Sequence, residues 1–392
     1  MSSDTRLHTR WSLWGSIIFA LYILGVTGCT SLQPAGLKRI ENPDIHYVET
    51  ADGWKLALER FSYSINGRNK DRLPVILCHG LGYNSKFWTI ADKIDFARYL
   101  ANQGFDVWLV SLRGSGASTK PGVTILKNLV RTRDREYRSA SFLPSRINWK
   151  VDDYILYDIP AALNYVVAET GKPKVLWVGH SLGGMIMMGY LSRFGDDKVQ
   201  AVATIGSPLI IPQPPNRILQ AFVQNKTLFK AFLIVNTRTG ATSIAPFHRF
   251  VITPDEVLLW NKHNVEPNIV STVLTHVVED IPAGVLDQVL SMVRSGQFMS
   301  YDKSFNYTEE IRKISIPLLL SCGKADNLAP PESVRYVYET VGSEDKTFMM
   351  FGTANGHRED YGHNDLILGK YAYKEVYPDI TKWLKAHSYL PK

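Results

Sequence analysis

The sequence predicts an α/β fold: a mostly parallel central sheet flanked by helices, with an inserted helical cap. Three observations predict it. Short apolar runs such as "LPVILCHG", "FDVWLVSLRG", "KVLWVG" and "IPLLLSCG" alternate with stretches of helical spacing. The runs are continuously apolar rather than alternating, which suits strands covered on both faces by crossover helices. From about Pro208 to Ser304 the strand rhythm stops while helical spacing persists, and it resumes afterwards.

A chain of 392 residues accommodates one large α/β domain with insertions. "HYVETADGWKLALERFSY" puts two β-rich runs around Asp52-Gly53, a hairpin signal, and an antiparallel hairpin belongs at the edge of a parallel sheet. "LPVILCHG" is a short buried strand, "SKFWTIADKIDFARYLANQG" reads as a helix, and "FDVWLVSLRG" is the next strand. "VDDYILYDIPAALNYVVAETG" reads as a helix ending at Gly171, before the strands "KVLWVG" and "VQAVATIGSP" and the helix between them. Within the cap, "ILQAFVQNKTLFKAFLIV" and "AGVLDQVLSMVRSGQF" carry apolar residues at helical spacing, for example Val285, Leu286, Val289, Leu290 and Val293. "IPLLLSCGKAD" and "KTFMMFG" resume the strands, and "YKEVYPDITKWLKAH" is a closing helix. The expected organisation is a signal peptide (1–28), a tether (29–44), core (45–207), cap (208–304) and core again (305–392).

The formal net charge of +7 is shared between the N-terminus and the stretch from Lys127 to Arg146. That stretch reads as a solvated loop, with a membrane-facing or acid-binding role as the alternative. No interleaving of basic and aromatic residues points to nucleic acid. At the start, Arg6 and Arg10 precede the apolar run from Trp11 to Thr27, the layout of a secretory signal. Val26-Thr27-Gly28-Cys29 resembles a bacterial lipobox. The resemblance implies lipid attachment at Cys29, membrane association through that anchor, and a place in the bacterial cell envelope. Thr30 after the cysteine points to the outer membrane by the same resemblance; an uncleaved signal anchor is the alternative. The other two cysteines, Cys78 and Cys322, lie in apolar strand runs and are expected as buried free thiols.

Gly179-His180-Ser181-Leu182-Gly183 is G-x-S-x-G between a strand and a helix. A serine there sits in a strained turn whose neighbours must lack bulk, with a helix N-terminus behind it to favour developing negative charge. A serine hydroxyl needs a base, and the base needs an acid to orient it. Asp326 follows the strand "IPLLLSCG", and His363 lies in "REDYGHNDLILG" after the next strand. His357 in "ANGHRED" is the rival base, and His363 is preferred because an apolar helical start follows it closely. The oxyanion donors are expected to be the main-chain N–H groups of Leu182 and of Leu81 in "CHGLGYNS". Each such donor is typically worth about 3 to 4 kcal/mol in the transition state. His79, in the same loop, is expected to be structural. No metal or cofactor is expected, since no H-E-x-x-H or C-x-x-C occurs.

Over about residues 45–388 the chain resembles the α/β-hydrolase superfamily, in its acid and gastric lipase-like branch. The matching stretches are "LPVILCHGLGYNSKFW", "FDVWLVSLRGSGAS", "YDIPAALNYV", "SGQFMSYDKSFNYTEEIRKISIPLLLSCGKADNLA" and "YGHNDLILGKYAYKEVY". The resemblance implies hydrolysis of lipid-like carboxyl esters through an acyl-enzyme at Ser181, with Asp326 and His363 completing the triad. The branch usually has Gln after the nucleophile where this chain has Leu182, and "GHSLGG" is shared with thioesterases and peptidases, so the reaction class carries over better than the substrate. Acyl transfer, thioester or peptide cleavage by the same triad stays open, as does a degenerate fold that binds hydrophobic ligand. The cap phenylalanines Phe222, Phe229 and Phe232 are either acyl-pocket lining or cap core.

Overall fold

A computed structural model describes residues 44–61, 71–120, 148–212, 234–246 and 258–390. Cys29 with the expected signal segment, the basic stretch 127–146, and Phe222, Phe229 and Phe232 lie outside the described residues.

Eight strands form the main sheet: β1 (Asp44–Glu49), β2 (Lys55–Phe61), β3 (Val75–Cys78), β4 (Val107–Ser111), β5 (Val175–His180), β6 (Val199–Ile205), β7 (Leu318–Gly323) and β8 (Lys346–Phe351). Their spatial order is β1-β2-β4-β3-β5-β6-β7-β8. The β1–β2 and β2–β4 pairs are antiparallel, and every pair from β4 to β8 is parallel. The edge hairpin stands where its sequence expectation put it, turned at Gly53 with φ 81°.

The continuous apolar runs are explained by two cores, one on each face. Ile76, Trp108 and Trp177 stand in register across β3, β4 and β5 and belong to one core. One residue on, Leu77, Leu109 and Val178 stand in register and belong to the other. Because side chains alternate between faces, a strand that faces two cores must be apolar at every position.

The helices are α1 (Phe96–Asn102), α2 (Ile159–Thr170), α3 (Leu182–Phe194), α4 (Ala283–Ser295), α5 (Pro331–Thr340) and α6 (Ala372–Ala386), with shorter ones between. α2 ends at the left-handed Gly171, as read from the sequence, and is preceded by a π turn over Tyr154–Asp158. Two expectations need correction. The stretch from Ser85 to Gly104 is not one helix: a 3-10 turn (Ser85–Trp88) leads into a small antiparallel pair, Thr89–Ala91 with Ile94–Asp95, and only α1 is α-helical. The reason is local: Asn84 Oδ1 and Asp95 Oδ1 accept from the Lys86 and Arg98 main-chain N–H groups, so each begins a new element. Helix α5 had no counterpart in the sequence reading; Pro331 in its first turn starts it and Val334 and Val337 bury one face.

Between β6 and β7 the described residues add no strand to the main sheet. They form a two-residue antiparallel pair, Ile234–Val235 with Ile281–Pro282, the helices Thr237–Ile244 and Pro267–Thr272, and α4, which ends at the left-handed Gly296. No helix among the described residues is long and apolar enough to cross a membrane.

Candidate active site

The turn from β5 to α3 holds Ser181 at φ 52° and ψ −119°, a conformation that L side chains rarely adopt. The glycines around it are demanded by backbone proximity. A Cβ on Gly179 would lie 2.3 Å from the Gly184 nitrogen, and one on Gly183 would lie 2.3 Å from the Cys78 carbonyl oxygen. A Cβ on Gly184 would lie as close, 2.3 Å, to Ser207 Oγ. The turn is braced by Trp177, whose Nε1–H donates to the Gly183 carbonyl at 3.1 Å, and by the Ser181 N–H, which donates to the Ile205 carbonyl at 2.9 Å.

Asp326 follows the end of β7 and is buried. Its Oδ1 accepts from the Leu328 N–H at 2.9 Å and the Ala329 N–H at 2.7 Å. Its Oδ2 stands 2.8 Å from His363 Nδ1. A carboxylate only accepts, so Nδ1 carries the proton and the neutral imidazole has its lone pair at Nε2. The two loops are held together backbone to backbone: the Ala325 N–H donates to the Tyr361 carbonyl at 2.8 Å, and a Cβ on Gly323 would sit 2.2 Å from that same oxygen. Ser181 and His363 open onto one cavity of about 220 Å³, whose wall includes Leu259, Trp260, Leu274, Val278 and Leu328. His357, the rival base, does not line that cavity; its Nδ1 bonds the Gly352 main chain.

Leu81 follows β3 in the loop over Ser181, and Gly80 and Gly82 on either side of it also line the cavity. Gly80 packs so closely that its Cβ would lie 3.1 Å from the Ser181 Cβ. Among the described residues, neither the Leu81 nor the Leu182 N–H donates to a main-chain carbonyl. For Leu182 this follows from its place as the first residue of α3, where no preceding turn exists.

His79 is structural, as expected: Nδ1–H donates to the Gly80 carbonyl at 2.9 Å and Nε2 accepts from the Leu112 N–H at 3.2 Å. Burial holds its imidazole down to about 4, against the upward pull of the Gly80 carbonyl. His180, beside Ser181, donates from Nε2 to the His363 carbonyl at 3.1 Å and packs on Phe87 with ring centroids 4.5 Å apart. Burial and then the neighbouring His363 keep it well below the ordinary imidazole range. Cys78 and Cys322 are free and buried, and burial pushes the Cys322 thiol up to about 12.

Comparison with known proteins bears on this geometry. A family model described as the alpha/beta hydrolase fold matches residues 74–369. This chain belongs to the alpha/beta hydrolase fold family. A second model, a partial alpha/beta-hydrolase lipase region, matches residues 42–92. Among curated relatives of this hydrolase, human lipase member N is 23% identical and the match covers 87% of each chain. Triacylglycerol lipase 1 of Arabidopsis thaliana is 24% identical, covering 86% of this chain and 85% of its own. The monoacylglycerol lipase of Paleococcus ferrophilus shares the fold, with a TM-score of 0.54 at 21% identity, over 85% of this chain and 99% of that one.

Two buried polar clamps of this alpha/beta hydrolase escaped the sequence reading. Asp365 is buried two residues after His363; its Oδ2 accepts from the Gly362 N–H and from Asn264 Nδ2, both at 2.9 Å, and its Oδ1 from the Asn261 N–H at 3.2 Å. It ties the histidine loop to Asn261 and Asn264 in the insertion between β6 and β7, and burial pushes its carboxyl up to about 6. Its only sequence signal is a polar pair, Asn364-Asp365, ahead of an apolar run. The second group is Arg113, which follows β4. Its Nε donates to Asp158 Oδ1 at 2.7 Å, and Nη1 and Nη2 donate to the Asp52 oxygens at 2.6 and 2.9 Å. Nothing local to any of the three predicts that they meet.

Proposed function

We propose that this chain is a carboxylic ester hydrolase acting on lipid-like acyl esters through an acyl-enzyme at Ser181. The observation that carries the reading is the 2.8 Å His363–Asp326 pair opening, with the strained Ser181, onto one largely apolar cavity. In this reading His363 Nε2 takes the Ser181 proton as Oγ attacks the carbonyl, and Asp326 fixes the imidazole tautomer and offsets the charge that forms. The Leu81 and Leu182 N–H groups face the oxyanion, and the dipole of α3 adds to them. Collapse of the tetrahedral intermediate returns the proton to the leaving alkoxide. Water activated by the same histidine then frees the acid.

Support for the substrate class comes from two sources. Much of the cavity wall is Leu, Val, Ile and Trp side chains, which suits an acyl chain. The names of the relatives, lipase member N and triacylglycerol lipase 1 among them, are those of lipases.

The test is a fluorophosphonate probe with Ser181→Ala as control, followed by a panel of p-nitrophenyl esters, thioesters and aminopeptidase amides. Labelling that vanishes in Ser181→Ala, and ester turnover that falls by about 10⁴-fold or more, are the expected results. Labelling that persists in the variant, or a preference for thioesters or amides, would overturn the reading.

We also propose that Cys29 carries lipid and holds the enzyme at the bacterial cell envelope, on the outer membrane. The support is the Val26-Thr27-Gly28-Cys29 sequence behind a basic and then apolar leader. Two or more acyl chains suffice for stable anchoring. Metabolic labelling with a fatty-acid analogue should mark the wild type and not Cys29→Ala; equal labelling of both excludes the anchor.

A further inference from the structure

Glu279, absent from the sequence reading, is buried beneath the loop that carries Leu81. Its main-chain N–H donates to the Gly82 carbonyl at 2.7 Å. Its Oε1 accepts from Asn84 Nδ2 at 2.9 Å and from the Gly116 N–H at 3.0 Å, and its Oε2 accepts from Lys120 Nζ at 2.7 Å. Its carbonyl accepts from Thr237 Oγ1 at 2.6 Å. One residue therefore joins three segments far apart in sequence: the loop after β3, the loop after β4 and the insertion between β6 and β7. The hold on the first is the tightest, because both Gly82 and Asn84, one and three residues beyond Leu81, are gripped by it. Gly82 has φ +67°, and a Cβ there would lie 3.0 Å from Ile281, so the loop also packs directly on the residues that follow Glu279.

We propose that Glu279 is a positioning residue for the oxyanion loop: it fixes the Leu81 N–H against Ser181 by holding the peptide beyond it to the inserted segment. The inference rests on the reading in which the Leu81 N–H faces the oxyanion. A donor aimed at developing charge acts only where it is preorganised, and a displacement of about 1 Å costs on the order of 100-fold in rate. An acidic side chain suits the task because its two oxygens accept several N–H groups at once, with Lys120 balancing the charge.

The test compares wild type with Glu279→Leu, which keeps the bulk but removes both acceptor oxygens from Asn84 and Gly116. Asn84→Ala approaches the same contact from the loop side. For p-nitrophenyl butyrate we expect kcat per folded molecule to fall about 10- to 100-fold in each variant with KM within about twofold. Binding of a trifluoromethyl ketone, which forms a tetrahedral adduct, should weaken by the same factor, while binding of a fatty alcohol should not. Hydrogen exchange should accelerate across residues 80–84. The losses should be less than additive in the double variant. Unchanged kcat, or unchanged exchange in that loop, overturns the proposal; if Glu279→Leu does not fold, Asn84→Ala decides it alone. A wild type that neither hydrolyses esters nor reacts with fluorophosphonate defeats the ester-hydrolase reading instead, and the exchange experiment still reports whether Glu279 holds the loop.

Discussion

His79 and His363 show how a residue's surroundings decide its chemistry. Both lie in glycine-flanked loops after strands of one sheet. His79 has Nε2 occupied by a main-chain N–H and Nδ1 by a carbonyl, so neither nitrogen is free for proton transfer. His363 spends Nδ1 on Asp326 and lines the cavity. The His79 environment makes a pH prediction. Its imidazole is held at about 4 in the fold against 6.5 as the ordinary value, so the unfolded chain takes up a proton that the folded chain refuses. The contribution of this site to stability is whole above pH 6.5 and is lost as pH falls through 4. Urea unfolding of wild type and His79→Gln at pH 7 and 4.5 should show a pH-dependent loss smaller in the variant by about 2 to 3 kcal/mol. Equal losses would show that His79 is not the neutral, buried group described.

At the scale of the element, the β5–α3 junction explains why the sequence strips bulk around one serine. Ser181 adopts a left-handed φ, which by itself costs on the order of 1–3 kcal/mol. The cost is sustained because the strand is fixed by packing on both cores and the helix by packing on one of them, so the turn between them has no freedom to relax. The helix comes within contact distance of the end of β3 at Gly183, whose neighbour is a backbone oxygen and not a side chain that could swing away. Gly183→Ala should therefore destabilise the fold by about 1–3 kcal/mol despite the better helix propensity of alanine. It should also lower kcat per folded molecule, since the Cys78 carbonyl it would push belongs to the strand that leads into the Leu81 loop. Chemical denaturation and active-site titration of the variant check both effects.

At the scale of the molecule, the proposed catalytic groups are carried by loops at the carboxyl ends of β3, β5 and β7 and after β8, and polar clamps at Asp365 and Glu279 brace two of those loops. Arg113 forms a further buried clamp away from those loops, joining Asp52 in the edge hairpin to Asp158 just before α2. Burial pushes Asp158 up to about 6, with Arg113 pulling the other way. Removing the carboxylate leaves a buried guanidinium with half of its partners, so Asp158→Asn should cost about 3–5 kcal/mol at pH 7. Its kcat per folded molecule should hold, because the clamp does not line the cavity shared by Ser181 and His363. Thermal unfolding followed by kinetics on the folded fraction separates the two.

The sequence by itself determined the local quantities. Continuous apolar runs marked the strands that face two cores, Gly171 marked a helix end, and glycines around Ser181 marked a tight turn. The order Ser181, Asp326, His363 was legible because each follows a recognisable strand. Tertiary structure alone decided the rest. The stretch from Ser85 to Gly104 broke up because two polar side chains found nearby N–H groups, which periodicity does not record. Asp365, Arg113 and Glu279 acquired their partners from segments roughly 50 to 200 residues away, and a hydrogen bond formed across folded space leaves no spacing rule in the chain.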